Sequence, residues 1–340
     1  MTSATKTSIN LDDKVVMVTG GTGSFGRRFI EIVLKRWRPR KLIILSRDEH
    51  KQFDMQHDPR FRDHACLRFF IGDVRDQNRL RMAMRDVDIV IHAAALKHVP
   101  IAEYNPFECI RTNIYGAENV VSAAIDCGVK QVVALSTDKA VNPINMYGAS
   151  KLAADKLFIA ANALAGDSGP RFSVVRYGNV LDSRGSVIPY FRRLIADGAE
   201  SLPITDKRMT RFWITLDQGV DFTLGALAVM QGGEIFVRKV PSMRLMDLVD
   251  AIAPGMATHE IGIRPGEKLH EVLIPEEETA EILNATDKFI ICPAHSPDVA
   301  PRHRSGSDMA LPKGFRYSSD NNDDWLDANA LRSLLAAAGV

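Results

Sequence analysis

The stretch Lys14–Gly26, KVVMVTGGTGSFG, decides the reading of this chain. Lys14–Val18 is nearly all apolar and rich in valine, as a strand covered on both faces must be. The chain then runs through Thr19-Gly20-Gly21-Thr22-Gly23-Ser24-Phe25-Gly26. Gly21, Gly23 and Gly26 fit G-x-G-x-x-G, and Gly20, Gly23 and Gly26 fit G-x-x-G-x-x-G. A side chain there would block the tight turn, the approach of backbone to a pyrophosphate, or close packing of helix on strand. The following helix points its free N–H groups and positive dipole end at the phosphates. A glycine pattern alone is a weak signal. One that closes a strand and opens a helix inside a βαβ unit reads as a dinucleotide site. Gly20, Thr22, Gly23, Ser24, Phe25 and Gly26 are the expected cofactor contacts of this loop.

The same rhythm continues outward. Further buried strands are expected at Lys41–Ser46, Leu67–Ile71, Ile89–Ala93 and Gln131–Ser136, with a sixth at Phe172–Tyr177. Helices are expected at Gly26–Lys35, Asn78–Met84, Pro106–Cys127 and Tyr147–Leu164. This alternation predicts an α/β fold, a Rossmann-like doubly wound parallel sheet. Residues 1–12 read as a disordered lead-in and 13–178 as the dinucleotide-binding domain. Residues 179–340 read mainly as a smaller C-terminal substrate-binding subdomain, with segments such as helix Leu216–Met230 returning to the main domain. Ala294–Ser319 is polar and rich in proline and serine, which predicts a long surface loop. Asp323–Ala338 reads as a closing helix.

Composition bounds the function. The 340 residues are 46% hydrophobic and 25% charged, with a net charge of +1, as in an ordinary globular enzyme. Neither nucleic acid nor a membrane surface is an expected partner. No apolar run reaches the length of a membrane span. Cys66, Cys109, Cys127 and Cys292 are scattered without metal-ligand spacing, so no metal is expected and the thiols read as buried hydrophobes of a reducing compartment.

Other strand ends complete the cofactor site. Ser46-Arg47-Asp48 closes the second strand, where an acidic residue would bond the ribose of NAD and an arginine can neutralise the 2′-phosphate of NADP. Ser46 and Arg47 favour NADP over NAD, although Arg47 also fits a solvated charge at a strand end. Asp73 and Val74, after the third strand, suit the adenine amino group and ring. Ala93, Ala94 and Ala95, after the fourth, let the backbone approach the cofactor closely. Strand-end packing explains each of these equally well when taken singly.

The fifth strand ends in Ser136-Thr137-Asp138-Lys139, and Tyr147 follows ten residues after Thr137, with Lys151 four residues later. On a helix Tyr147 and Lys151 share a face. An ammonium near a phenol lowers its proton affinity. A phenol so tuned can take a proton from a sugar hydroxyl while hydride leaves for a nicotinamide. The Thr137 hydroxyl can hold the reacting oxygen. Tyr-x-x-x-Lys is common by chance, but here it follows the fifth strand of a nucleotide-binding sheet.

With these residues in view, the chain resembles the extended short-chain dehydrogenase/reductase superfamily. Within it, the chain resembles the soluble inverting UDP-N-acetylglucosamine 4,6-dehydratases that open pseudaminic acid biosynthesis. The likeness lies in Thr19–Gly26, Ser46–Glu49, His92–Pro100, Leu135–Lys151 (LSTDKAVNPINMYGASK), Val175–Val180, Ser183–Pro189, Met209–Trp213, Arg264–Glu271 (RPGEKLHE) and Tyr317–Leu326. It covers nearly the whole chain, and Thr137-Asp138-Lys139 is its most specific part. Ordinary dehydratases of the superfamily carry Thr-Asp-Glu there, and large membrane-anchored relatives often replace the tyrosine by methionine. The resemblance implies that a neutral Lys139 is the base for the C5 proton and a protonated Asp138 the acid for the C6 hydroxyl. It implies substrate contacts at Lys97, His98 and Asn179, phosphate contacts at Thr210 and Arg211, and diphosphate and ribose contacts at Arg264 and Glu267, with Lys97 also reaching the cofactor. It further implies a tightly bound, recycled NADP, UDP-N-acetylglucosamine as substrate, a cytoplasmic location and a homo-oligomer, a dimer or hexamer.

Three alternatives remain at this level. A 4-epimerase would use the same glycine loop and Tyr147–Lys151 pair but needs no acid and base for elimination. A sibling alternative is a dehydratase that retains the C5 configuration, or a bifunctional one acting on a different UDP-amino sugar. A non-catalytic nucleotide-sensing protein on this fold has no need of Tyr147 and Lys151. His270 and Glu271 lack partner ligands at metal spacing.

Overall fold

The computed structural model describes residues 9–181, 186–294, 296, 298–304 and 309–337. Residues 1–8 of the expected lead-in and Ser183–Gly185 of the SRGSVIP stretch lie outside them. Within the remainder of the lead-in, Leu11 is fully buried in the main core.

The first half alternates as follows: β1 (Val15–Thr19), α1 (Ser24–Arg36), β2 (Lys41–Ser46), α2 (Glu49–His57), β3 (Leu67–Ile71), α3 (Gln77–Ala83) and β4 (Ile89–His92). Next come α4 (Val99–Tyr104), α5 (Pro106–Ile110), α6 (Gly116–Asp126), β5 (Gln131–Thr137), α7 (Met146–Ala165) and β6 (Arg171–Tyr177). These six strands pair in parallel in the order β3-β2-β1-β4-β5-β6. Every residue of β1 and β4 is buried. Helices cover both faces: α1 packs on α9 (Leu216–Val229), and α3, α6 and α7 pack side by side. The order reverses between β1 and β4, the switch point where sheets of this kind form a ligand crevice beyond the carboxyl ends of the strands.

The second half adds β7 (Asn179–Val180), α8 (Val187–Ala196), β8 (Ser201–Ile204), β9 (Thr210–Ile214), β10 (Ile235–Arg238), β11 (Ser242–Arg244), α10 (Leu245–Ile252) and β12 (Ala257–Glu260). The chain ends through β13 (Val272–Ile274), β14 (Ile282–Asn284), β15 (Lys288–Ile291), α11 (Val299–His303), β16 (Met309–Ala310), β17 (Tyr317–Ser318) and α12 (Ala328–Ala337). β10 joins β6 in parallel, and β15, β14 and β16 follow antiparallel, so the main sheet has ten strands among the described residues. A second, smaller core gathers Ile188, Phe191, Leu202, Trp213, Leu248 and Leu331 from α8, β8, β9, α10 and α12.

Four local expectations change. Helices α2 and α4 went unforeseen; α2 buries only Gln52 and Met55, too few positions to make a periodic pattern. The helix expected over Pro106–Cys127 is broken by a π-helical turn at Arg111–Tyr115. The surface loop expected over Ala294–Ser319 carries α11, β16 and β17. It is anchored by buried Val299 and Ala300 and by Tyr317, whose hydroxyl donates to Val240 O at 2.9 Å. The closing helix starts at Ala328, because Ser242 N donates to Asp324 O and Leu326 N to Ser242 O, which holds that stretch extended along β11.

Candidate active site

The glycine loop lies at the crevice. Gly20 has φ +67°, a left-handed conformation that disfavours any side chain. A Cβ there would also come within 2.9 Å of the Ala94 backbone, so the loops after β1 and β4 meet across the switch point. Ala94 N donates to Thr19 Oγ1 at 3.3 Å, and that hydroxyl also contacts His92 Nδ1 at 2.8 Å. His92 is buried, and burial with the nearby Lys151 charge pushes its proton affinity down to about 3. Gly23 caps α1 without a side-chain acceptor, whereas Asp48, Asp76, Asn145 and Thr215 cap α2, α3, α7 and α9 with theirs. The first-turn N–H groups of α1, from Ser24, Phe25 and Gly26, therefore receive no side-chain acceptor at Gly23. Glycines where a Cβ would fill the cradle, and an uncapped helix end, fit a pyrophosphate.

At the adenosine end, Ser46 Oγ and Thr22 Oγ1 are 2.9 Å apart. Arg47 is exposed, its Nη1 3.7 Å from Asp73 Oδ2. Asp73 is held by Arg75 at 2.7 Å. Its carboxyl stays below the usual range because Arg75 and Arg47 outweigh burial. Val74 is buried beside it. Asp48 is committed elsewhere: it accepts from Lys51 N at 3.0 Å and pairs with the Lys51 ammonium.

The Asp138–Ala140 turn follows β5 directly. Thr137 ends the strand, and Asp138–Ala140 form a 3₁₀ turn. α7 begins one residue before Tyr147, with Asn145 accepting from Gly148 N at 2.7 Å. A Cβ at Gly148 would come within 2.2 Å of Lys139 O, so only glycine lets α7 press against the turn. That contact brings Tyr147 beside Thr137 and Lys139. Burial in the cleft pushes the Tyr147 phenol up to about 12, opposed by the Lys139 charge and a hydrogen bond with Thr137. Lys151 is buried on the same face, and its ammonium donates to Leu135 O at 2.7 Å. Burial lowers its proton affinity and Asp155 partly restores it. Thus the cation that acts most on Tyr147 here is Lys139, where the sequence pattern pointed to Lys151.

Asp138 is fully buried. Its Oδ1 accepts from Thr137 Oγ1 at 2.9 Å and from Lys139 Nζ at 2.8 Å, while Oδ2 is enclosed with no hydrogen-bond partner. Burial raises its proton affinity, Lys139 opposes, and a second carboxylate, Glu271, adds to the rise. Lys139 Nζ also meets Asn179 Oδ1 at 2.9 Å and Glu271 Oε1 at 3.2 Å. Burial pulls Lys139 down, but Asp138 and Glu271 outweigh it and hold the ammonium above its ordinary range. This corrects the expectation of a neutral Lys139: with carboxylates on two sides the resting side chain is charged. Glu271 was passed over as a functional residue, though it closes the RPGEKLHE stretch.

That stretch docks beside the Asp138–Ala140 turn. Asn145 Nδ2 donates to Gly266 O at 2.7 Å, and Lys268 Nζ to Val141 O at 2.5 Å. Arg211 serves the same loop: its guanidinium donates to Thr210 O, Leu269 O and Lys268 O. It also stands 3.6 Å from Glu267. Of the expected phosphate contacts, Arg211 has its Nη atoms bonded to this loop, and Thr210 is buried and bonded to His270 Nδ1 at 2.8 Å and Ser319 Oγ at 2.6 Å. Arg264 remains exposed, 3.8 Å from Glu267. Lys97 and His98 lie exposed after β4, in a loop held by Asn113, whose amide bonds both Leu96 N and Leu96 O. No group of three or more possible metal ligands exists among the described residues.

Residues 16–293 match the family model described as polysaccharide biosynthesis protein. A Campylobacter jejuni protein named UDP-N-acetylglucosamine 4,6-dehydratase (inverting) is 51% identical over 327 residues, 95% of this chain and 97% of that one. A Rickettsia typhi protein named UDP-glucose 4-epimerase is 45% identical, over 79% of this chain and 80% of that one. Among solved structures, Pen from Bacillus thuringiensis superposes with a TM-score of 0.88 at 37% identity, covering 97% of this chain and 99% of that one. The dTDP-glucose 4,6-dehydratase DesIV of Streptomyces venezuelae, solved with NAD bound, has a TM-score of 0.66 at 25% identity, covering 75% and 86%.

Proposed function

The chain belongs to the polysaccharide biosynthesis protein family, and we propose that within it this protein is an inverting UDP-N-acetylglucosamine 4,6-dehydratase that uses a bound, recycled NADP. The observation that carries the reading is the buried Asp138–Lys139 contact at 2.8 Å, an acid and a base in one turn beside Tyr147. Epimerisation at C4 has no use for that pair. The identity to the Campylobacter jejuni enzyme over nearly the whole chain supports the same choice.

The glycine loop and the uncapped end of α1 would hold the pyrophosphate; Thr22, Ser46 and Arg47 would hold the 2′-phosphate that distinguishes NADP. A nicotinamide held there would supply a transient store for the hydride that leaves C4 and is needed at C6, with no net change in the cofactor. Tyr147 takes the C4 hydroxyl proton, with Thr137 holding the oxygen and the cations of Lys139 and Lys151 favouring the phenolate. The resulting ketone acidifies the C5 proton. Lys139 becomes a base once one of its protons crosses to Asp138, leaving an amine and a carboxylic acid in contact. The amine takes the C5 proton, and the acid protonates the departing C6 hydroxyl, which leaves as water. Both groups thereby return to the ion pair from which they started; as hydride reaches C6, C5 takes a solvent-derived proton on the opposite face, which inverts it, and the proton gained by Tyr147 passes to solvent to close the balance. Asn179 keeps the Lys139 nitrogen in place, and Lys97, His98, Arg264 and Glu267 are the candidate contacts to sugar and diphosphate. By its resemblance the product enters pseudaminic acid biosynthesis in the cytoplasm, and the chain works as a homo-oligomer. No helix among the described residues is long and apolar enough to cross a membrane.

Mass spectrometry of UDP-N-acetylglucosamine incubated with the purified protein tests this directly. The reading expects a product lighter by one water. Conversion to the galacto isomer at unchanged mass would support the epimerase instead.

A further inference from the structure

The carboxylate of Glu271 takes no part in the reaction as argued above, yet it is built in with care. Its backbone is pinned by Ser319: Glu271 N donates to Ser319 Oγ at 2.9 Å, and Ser319 N donates to Glu271 O at 2.8 Å. Its side chain is 4% exposed. Oε1 stands 3.2 Å from Lys139 Nζ and 3.7 Å from Arg211 Nε, and Oε2 is enclosed without a hydrogen-bond partner. The charged groups facing it are Asp138 and Lys139 from the turn after β5, Arg211 from β9, and Lys268 from its own loop. The three protons of the Lys139 ammonium thus have three acceptors, Asp138, Asn179 and Glu271.

Resting on the dehydratase reading above, we propose that Glu271 is a positioning residue: it holds the Lys139 ammonium against Asp138 and keeps their shared proton in place at working pH. Of the two buried carboxyls, Glu271 is the one that stays charged, because Lys139, Arg211 and Lys268 outweigh the effect of its burial. Its negative charge raises the proton affinity of both Asp138 and Lys139. Two carboxyls with opposed environments divide the roles between them, one a proton carrier and the other a fixed counter-ion. Elimination needs the proton that Asp138 delivers to the leaving hydroxyl, so a site without Glu271 would lose that proton at lower pH. Oxidation at C4 runs through Tyr147, whose proton affinity burial raises and Lys139 and Thr137 lower, whereas the ion pairs of Glu271 are with Lys139 and Arg211.

The test compares wild type, Glu271→Gln and Glu271→Asp holoenzymes across pH with UDP-N-acetylglucosamine. Glu271→Gln keeps the shape and removes the charge. The alkaline edge of its kcat profile should move to lower pH by about one unit or more. Its kcat should fall at least about tenfold with KM changed little, and reduced nicotinamide should accumulate in a single turnover. Glu271→Asp should shift the same edge less. An unchanged edge in Glu271→Gln overturns the proposal, as does a loss of C4 oxidation equal to the loss of product. Should Glu271→Gln fail to fold by circular dichroism, Glu271→Asp decides alone, and an unmoved edge there overturns the proposal. A wild type that forms no keto product contradicts the dehydratase reading, and this proposal with it; a working wild type with an unshifted Gln variant contradicts the role of Glu271 only.

Discussion

Asp138 has one oxygen bonded twice and the other bare inside the protein. Burial favours the protonated form of such a carboxyl, so a proton crossing from Lys139 is readily accepted, which suits an acid for a poor leaving group. Asp138→Asn should therefore keep C4 oxidation and lose water elimination by about 10²–10⁴-fold, read as reduced nicotinamide without product. Full activity in that variant would remove Asp138 from the mechanism. His92 carries a second prediction, on stability. The folded protein holds it neutral, with its proton affinity pushed from 6.5 down to about 3 by burial and Lys151. An unfolded histidine takes its proton near 6.5, so stability is full above that pH and declines as pH falls toward 3. The loss is about 2 kcal/mol between pH 6.5 and 5. Urea unfolding of His92→Asn should show a flatter decline over that range, and an equal slope in both proteins would contradict it. At this scale the sequence was most legible where backbone dictates residue type, as at Gly20 and Gly26; the need for glycine at Gly148 emerges only from the fold. It was least legible at Glu271 and Arg211, which reach the site from distant strands and loops and leave no spacing to read.

Among the elements, β1 to β6 each lie within a residue of their expected bounds, most legibly β1 and β4, where burial of every residue writes an unbroken apolar run, while edge strand β3 is only partly buried. The π-helical turn at Arg111–Tyr115 was not, since its cause is tertiary: it aims buried Asn113 at the loop after β4. That amide also reaches Ser150 Oγ on α7 at 2.9 Å, tying the loop to the helix that carries Tyr147. Asn113→Ala leaves both polar groups of Leu96 unpaired and should cost about 1–3 kcal/mol in urea unfolding. The cofactor affinity should weaken as well, measured by titration calorimetry. Unaltered stability and affinity would show that the loop holds itself.

For the whole molecule, the alternation of strands and helices foretold the doubly wound sheet, and helix 216–230 was expected to return to it, but the strands that the second half adds to the sheet were not foreseen. β10 pairs with β6, and α9 covers α1 through Arg28–Asp217 and Arg36–Asp221 ion pairs. Cutting after residue 178 would bare the β6 edge and the apolar face under α9. The full chain should unfold in one calorimetric transition, and residues 1–178 alone should aggregate; a soluble fragment with its own cooperative transition would contradict this. The Arg264–Glu271 loop joins the halves at the active site, where it meets the turn that carries Asp138 and Lys139. What that union accomplishes is tested most directly by turnover in D₂O. Incubated there with UDP-N-acetylglucosamine and followed by NMR, the protein should yield a 4-keto-6-deoxy sugar with deuterium at C5 and the L-arabino configuration. A keto product with the original C5 configuration would contradict inversion, and exchange between gluco and galacto sugars without a keto product would contradict dehydration itself.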